Sequence, residues 1–208
     1  DDTLVIDGAD GWLTGKSLNF DGGSGGMDGI TVKNLPGAFV AGVNANGAGS
    51  VRRFGQLLVN FTGLEPMDLT GQAITTLEIE IDPGNTVGGP VTATVTNDAM
   101  AGVTRIDFDN GLESIIFPTP SVSLTITGDS TDGDIINIEG VDASWNVPII
   151  INGGGGSDTV TFQTNALATG GGDLTVNADT VNINAAISTG GGNVTITTEE
   201  AVSIGGTG

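Results

Sequence analysis

Residues 168–187, "ATGGGDLTVNADTVNINAAI", run directly into residues 188–206, "STGGGNVTITTEEAVSIGG", and the two stretches are one pattern written twice. Three glycines open each copy, an Asp or Asn follows, and then comes an apolar-Thr-apolar run: Leu174-Thr175-Val176 in the first and Val194-Thr195-Ile196 in the second. Strict alternation of apolar and hydroxyl side chains is the period-2 signature of a strand with one buried face. A period of about 20 residues, made of short strands separated by glycine corners, is the pattern of a stacked parallel β-helix or β-solenoid.

Working outward, the glycine corner recurs at wider spacing. Residues 150–162, "IINGGGGSDTVTF", residues 125–138, "TITGDSTDGDIINI", and residues 19–32, "NFDGGSGGMDGITV", all place an acidic residue between a glycine-rich turn and a strand. The opening "DDTLVIDG" (residues 1–8) fits the second half of the same unit, so the chain reads as beginning mid-repeat. The expectation is an all-β chain of rungs about 20–25 residues long. Regular rungs occupy 1–34 and 119–208, and a less regular β region fills 35–118, all in one continuous elongated module. That middle region carries strand-like runs such as "AITTLEIEI" (73–81) and turn signals such as Asp82-Pro83-Gly84. Its pattern fits either a continuing solenoid or a sandwich-like insertion.

Composition narrows function. The 208 residues hold 25 Asp+Glu against five Lys+Arg, net −20, which makes nucleic acid or an anionic membrane surface a poor partner and cations the natural one. With no His and no Cys, the chain lacks the usual general base, the thiol nucleophile and the common zinc ligands, so the expectation is a non-enzyme. No apolar run approaches the length of a membrane span, and membrane insertion is not expected. An acidic chain rich in Gly, Thr, Asn and Asp suits an extracellular, calcium-containing setting.

Gly153-Gly154-Gly155-Gly156-Ser157-Asp158-Thr159-Val160-Thr161 matches the calcium-binding nonapeptide G-G-x-G-x-D-x-U-x in full. Glycines reach backbone angles that turn carbonyls toward a cation, and the aspartate supplies the charged ligand. Two degraded copies surround Asp28 and the acidic set Asp129, Asp132 and Asp134. Asp134 and Asp158 lie about one rung apart, so they are expected to stack roughly 5 Å from each other, where like charges repel by about 3 kcal/mol at an effective dielectric of 20. Ca²⁺ would turn that repulsion into coordination, with Asp129 and Asp132 as further ligands and Asp28 at an equivalent corner.

Other readings of these residues are weaker. A phosphate loop needs a helix after its glycines, whereas Ser157-Asp158-Thr159-Val160 is acidic and strand-like. Arg105 flanked by Asp107 and Asp109 is the one grouping that resembles a polysaccharide-cleaving site, and alternating charges on an exposed strand explain it equally well. The threonine arrays at Thr92, Thr94 and Thr96, at Thr159 and Thr161, and at Thr195 and Thr197 read as solvent-facing strand positions. Asn177, Asn182, Asn184 and Asn193 could form amide ladders between rungs. Trp12 and Trp145 read as rung-end packing, with a sugar platform as the alternative.

Residues 18–32, 59–69, 123–140, 147–162 and 170–196, with the opening eight, resemble repeat regions of very large secreted bacterial surface proteins. These adhesin-like proteins mix calcium β-roll repeats with filamentous-haemagglutinin-type β-helix rungs. The resemblance implies a structural or adhesive module at the cell surface, stiffened by calcium. Its expected partners are neighbouring repeats or copies of the same protein, with an extracellular glycan as a further possibility.

Overall fold

The computed structural model describes residues 2–11, 15–23, 27–163, 165 and 167–205. Among these residues every regular element is a strand, and the strands form one ten-stranded sheet, one nine-stranded sheet and a two-stranded ribbon. The chain is all-β with predominantly parallel pairing, as the hydrophobic alternation predicts.

From residue 123 onward the chain visits the two large sheets in turn. Ser123–Thr127, Ile149–Asn152, Leu174–Asn177 and Val194–Thr197 are consecutive neighbours in the nine-stranded sheet. Ile135–Ile138, Thr159–Phe162, Thr180–Ile183 and Ala201–Ile204 are consecutive neighbours in the ten-stranded one. Leu124 pairs with Ile149 and Ile149 with Leu174, an advance of 25 residues per layer; Leu174 pairs with Val194, an advance of 20. Leu167–Ala168 and Ile187–Ser188 pair in the ribbon at the same spacing of 20.

Register converts the alternation into columns. Leu77, Leu124, Ile149 and Leu174 align across the nine-stranded sheet, as do Ile79, Ile126, Ile151 and Val176. Ala93, Ile136, Val160 and Val181 align across the other, and all of these side chains are buried in one core cluster. Full burial of one such aliphatic side chain contributes about 1.5–3 kcal/mol, and a one-residue slip would turn every column outward. The intervening Thr and Asn face out: Thr94, Asn137, Thr161 and Asn182 line up on the solvent side.

The strands of residues 35–118 belong to the same two sheets as the strands on either side of them. Their irregularity comes from two antiparallel meanders. Gly37–Asn44, Ala48–Arg53 and Gln56–Thr62 fold back on one another, so that Phe39 pairs in parallel with Leu77 while Val59 pairs in parallel with Leu18. The other sheet repeats the device with Thr92–Asn97, Val103–Phe108 and Ile115–Pro118, wedged between Met67–Gly71 and Ile135–Ile138. In each case the chain skips ahead and then returns to fill the space it left.

At the corners the layers stack backbone on backbone. A Cβ at Gly128 would lie 1.8 Å from the Gly153 carbonyl oxygen, and one at Gly154 1.8 Å from that of Asp129. Gly154 also holds φ at +111°, a conformation that L side chains avoid. Gly154→Ala is therefore expected to lower stability by more than about 2 kcal/mol in a denaturant titration. Gly89→Ala, where a Cβ meets nothing within 4 Å, serves as the neutral control.

Candidate functional site

The acidic corner is set by register. Ile135 pairs with Thr159 and Thr159 with Thr180, so the residues just before these strands, Asp134, Asp158 and Asp179, sit one above another. The Asp134 N–H donates to Asp158 Oδ1 at 2.9 Å, and the Asp158 N–H donates to Asp179 Oδ2 at 2.7 Å. Asp134 in turn accepts the Val91 N–H at Oδ1 (3.0 Å) and the Asp129 N–H at Oδ2 (2.8 Å). Each carboxylate thus satisfies a backbone donor at the start of the strand in the layer before it. A buried N–H left unpaired there would cost about 1–3 kcal/mol.

Glycines make room for these side chains. A Cβ on Gly128 would lie 2.7 Å from Asp134 Oδ2, and one on Gly153 would lie 2.5 Å from Asp158 Oδ2. Asp129 folds onto its own turn, its Oδ1 accepting the N–H groups of Thr131 (2.6 Å) and Asp132 (2.8 Å). The Oδ2 atoms of Asp129 and Asp132 are buried and have no hydrogen-bond partner. Burial raises the Asp134 carboxyl above its ordinary range against the pull of its two N–H donors, with the Asp129 and Asp132 charges adding to the rise. Asp158 is pushed up to about 6, again chiefly by burial.

The structure therefore brings Asp134 and Asp158 together, with Asp129 and Asp132 on the same turn. Asp28 stands apart, separated from them by several strands of the ten-stranded sheet, although its Oδ1 accepts the Asp2 N–H in the same manner. Most of the glycine-rich turn before Asp28, residues 24–26, lies outside the described residues, as does Trp12. Asp179 is a member of the column that the glycine pattern overlooks; the shared triplet Asp-Thr-Val at 158–160 and 179–181 is the signal that would have found it. Its corner, Asn177-Ala178-Asp179, is short, and this leaves a cleft of about 460 Å³ beneath Gly153–Gly156, lined by Asn152, Asp158, Asn177, Asp179 and Glu199. All five of these side chains offer oxygen donors.

The remaining candidates resolve differently. Trp145 is buried, its Nε1–H donating to the Val147 carbonyl at 2.8 Å, which leaves no face for a sugar. Arg105 pairs with Asp107 (2.6 Å), while Asp109 turns away to accept the Thr92 N–H (2.7 Å), so the three do not form one group. Asn177 donates to Asn152 across the layers at 2.9 Å on the exposed side, and Asn60 does the same to Asn19 at 3.3 Å. Among the described residues, no three carboxylates are already gathered as a metal cage. Compared with known family models, curated proteins and solved structures, the chain has no match.

The raised carboxyls dictate a pH dependence opposite to that of an ordinary salt-bridged aspartate. A carboxyl that binds its proton more tightly in the folded chain adds stability at low pH, and that stability is lost as pH rises through the folded value. Between pH 5 and 7.5 Asp7, held low first by the Asn34 amide, and Asp142, held low first by Ser144, stay ionised. In the absence of divalent cations the melting midpoint is expected to fall from pH 5 to pH 7.5. Asp158→Asn, which keeps an acceptor for the Asp134 N–H, should melt above the wild type, by more at pH 7.5 than at pH 5. A variant that tracks the wild type at both pH values would contradict the assignment.

Proposed function

We propose that the chain is a length of β-solenoid serving as a structural module of an extracellular fibre or giant bacterial surface protein, calcium-stiffened and joined through its sheet edges to neighbouring repeats or copies of itself. The observation that carries this reading is the in-register stack with open edges. Val160, Val181 and Val202 occupy one column, yet the first two are buried and Val202 is 48% exposed, while Ile204 beside it is 77% exposed. Ala201–Ile204 has a sheet neighbour on one side only. An edge of this kind, with apolar positions already in register, is a template for another layer.

The donor set supports calcium. Carboxylate and carbonyl oxygens are the ligands of hard cations, and the unpartnered Asp129 and Asp132 oxygens gain most from one. Asp134 and Asp158 would stand behind them, their mutual repulsion relieved by the bound charge. With no His or Cys in the chain, soft-metal chemistry has no ligands to use.

Two measurements test the two halves of this reading. Calcium should raise the melting midpoint over chelator-treated protein, corresponding to a stabilisation of about 2.7 kcal/mol at a hundredfold excess over its dissociation constant. The paired change Asp129→Asn with Asp132→Asn should remove that rise. For the module reading, concentrated wild-type protein should self-associate in sedimentation, and Ile204→Lys should reduce the association without lowering the midpoint. A chain that stays monomeric at every concentration and is indifferent to calcium would defeat both.

A further inference from the structure

The acidic corner does not use a second concave region of about 640 Å³, which lies where the turns of both meanders meet the segment 63–66. Its lining includes the half-buried apolar residues Pro66 and Phe108, and the charged residues Asp28, Glu65, Arg105, Asp107 and Glu113. Arg105 is held in place from two sides, its Nε donating to Asp107 Oδ1 at 2.6 Å and its Nη2 to the Ser114 hydroxyl at 3.1 Å. Glu113 is only 4% exposed although it lines the cleft.

We infer that this cleft binds a neutral saccharide, a mono- or disaccharide unit whose ring lies on the half-buried Pro66 and Phe108 and whose hydroxyls bond Glu65, Arg105 and Glu113. The chemistry of the lining selects that class. A sugar presents an apolar C–H face and hydroxyls that both donate and accept, and the cleft lining combines apolar side chains with donors and acceptors. Anions are disfavoured by Glu65 and Asp107, since the Arg105 charge is already neutralised. A wholly apolar ligand would strand the carboxyls without partners. Burial pushes Glu113 up to about 8, with the Glu65 charge raising it further against the Ser114 N–H and Arg105, so at neutral pH it carries a proton to donate. The volume falls in the range of small-molecule sites.

The inference stands independently of calcium at the glycine corner. Its test is amide NMR of the full chain titrated with glucose, galactose, N-acetylglucosamine, maltose and cellobiose, each to about 50 mM, a range that detects millimolar affinity. At least one sugar should shift the amides of Leu64, Glu65, Leu112, Glu113 and Ser114. Arg105→Ala should weaken that binding about tenfold through the lost charge-assisted bond. Glu113→Gln keeps a donor at the same place and should retain binding, while removing a loss seen in the wild type between pH 7 and 9. The other ionisable groups lining the cleft with Glu113 are Glu65, Asp107, Asp28 and Arg105. Unchanged melting of each variant shows that folding is intact. The inference is overturned if no sugar moves these amides, if Arg105→Ala binds as the wild type does, or if only calcium or an organic cation produces the shifts.

Discussion

Adjacent layers of backbone approach one another at the corners more closely than any Cβ allows, and much else in the structure answers to that constraint. The Gly154 position meets the Asp129 carbonyl and the Gly156 position meets Asp132, so the turn at 153–156 must be written in glycine. Glycine weakens local order, since its unfolded chain has more freedom to lose. The compensation lies in the flanking strands, where four residues such as Thr159–Phe162 bury two apolar side chains and pair on both sides. At the corner the N–H groups of Val91, Asp134 and Asp158, each just before a strand, bond a side chain, and the aspartate of the following layer supplies the acceptor. Glycine and aspartate are therefore two parts of a single solution.

That solution accumulates charge. Carboxylates are placed one per layer, and three of the five basic residues are engaged elsewhere, with Asp7, Glu80 and Asp107. Backbone N–H groups lower the cost of holding these charges but do not cancel it, which is why the Asp134 and Asp158 carboxyls sit above their ordinary range despite their hydrogen bonds. A corner of this design is left with a standing preference for a counter-charge or for protons.

How much of this could be read in the sequence depended on where period and register coincide. The two copies at 168–206 keep glycines, strand and spacing aligned, and the structure pairs them as the period implies, Leu174 with Val194. The spacing of Asp134 and Asp158 placed them in neighbouring layers for the same reason. Residues 35–118 resisted reading because an antiparallel meander strand and a strand paired in parallel have the same alternation; the choice between them rests on which sheet edge is free when the strand docks, and no local pattern encodes that. Asp28 looked equivalent to Asp134 from its turn alone, since similar corners do not disclose how many strands come between them. Asp179 escaped notice because its corner had lost its glycines while keeping its role. Glu65 is far in sequence from Arg105 and Glu113, and the three line one cleft because the turns of the two meanders meet beside the segment 63–66.

The meanders also set an order of events. Elsewhere in the sheets a strand must wait for a partner 20 or more residues away, as Leu174 waits for Val194 and Leu18 for Val59. Within the first meander Asn44 meets Ala48, and Arg53 meets Gln56, so the loops to be closed are only a few residues long. Short closures cost the least chain entropy and complete the fastest. The two three-stranded units are thus the natural seeds, and each presents on its outer strands the parallel edges to which the slower layers add. A stack of this kind is expected to grow outward from these units in both directions, instead of winding up from one end.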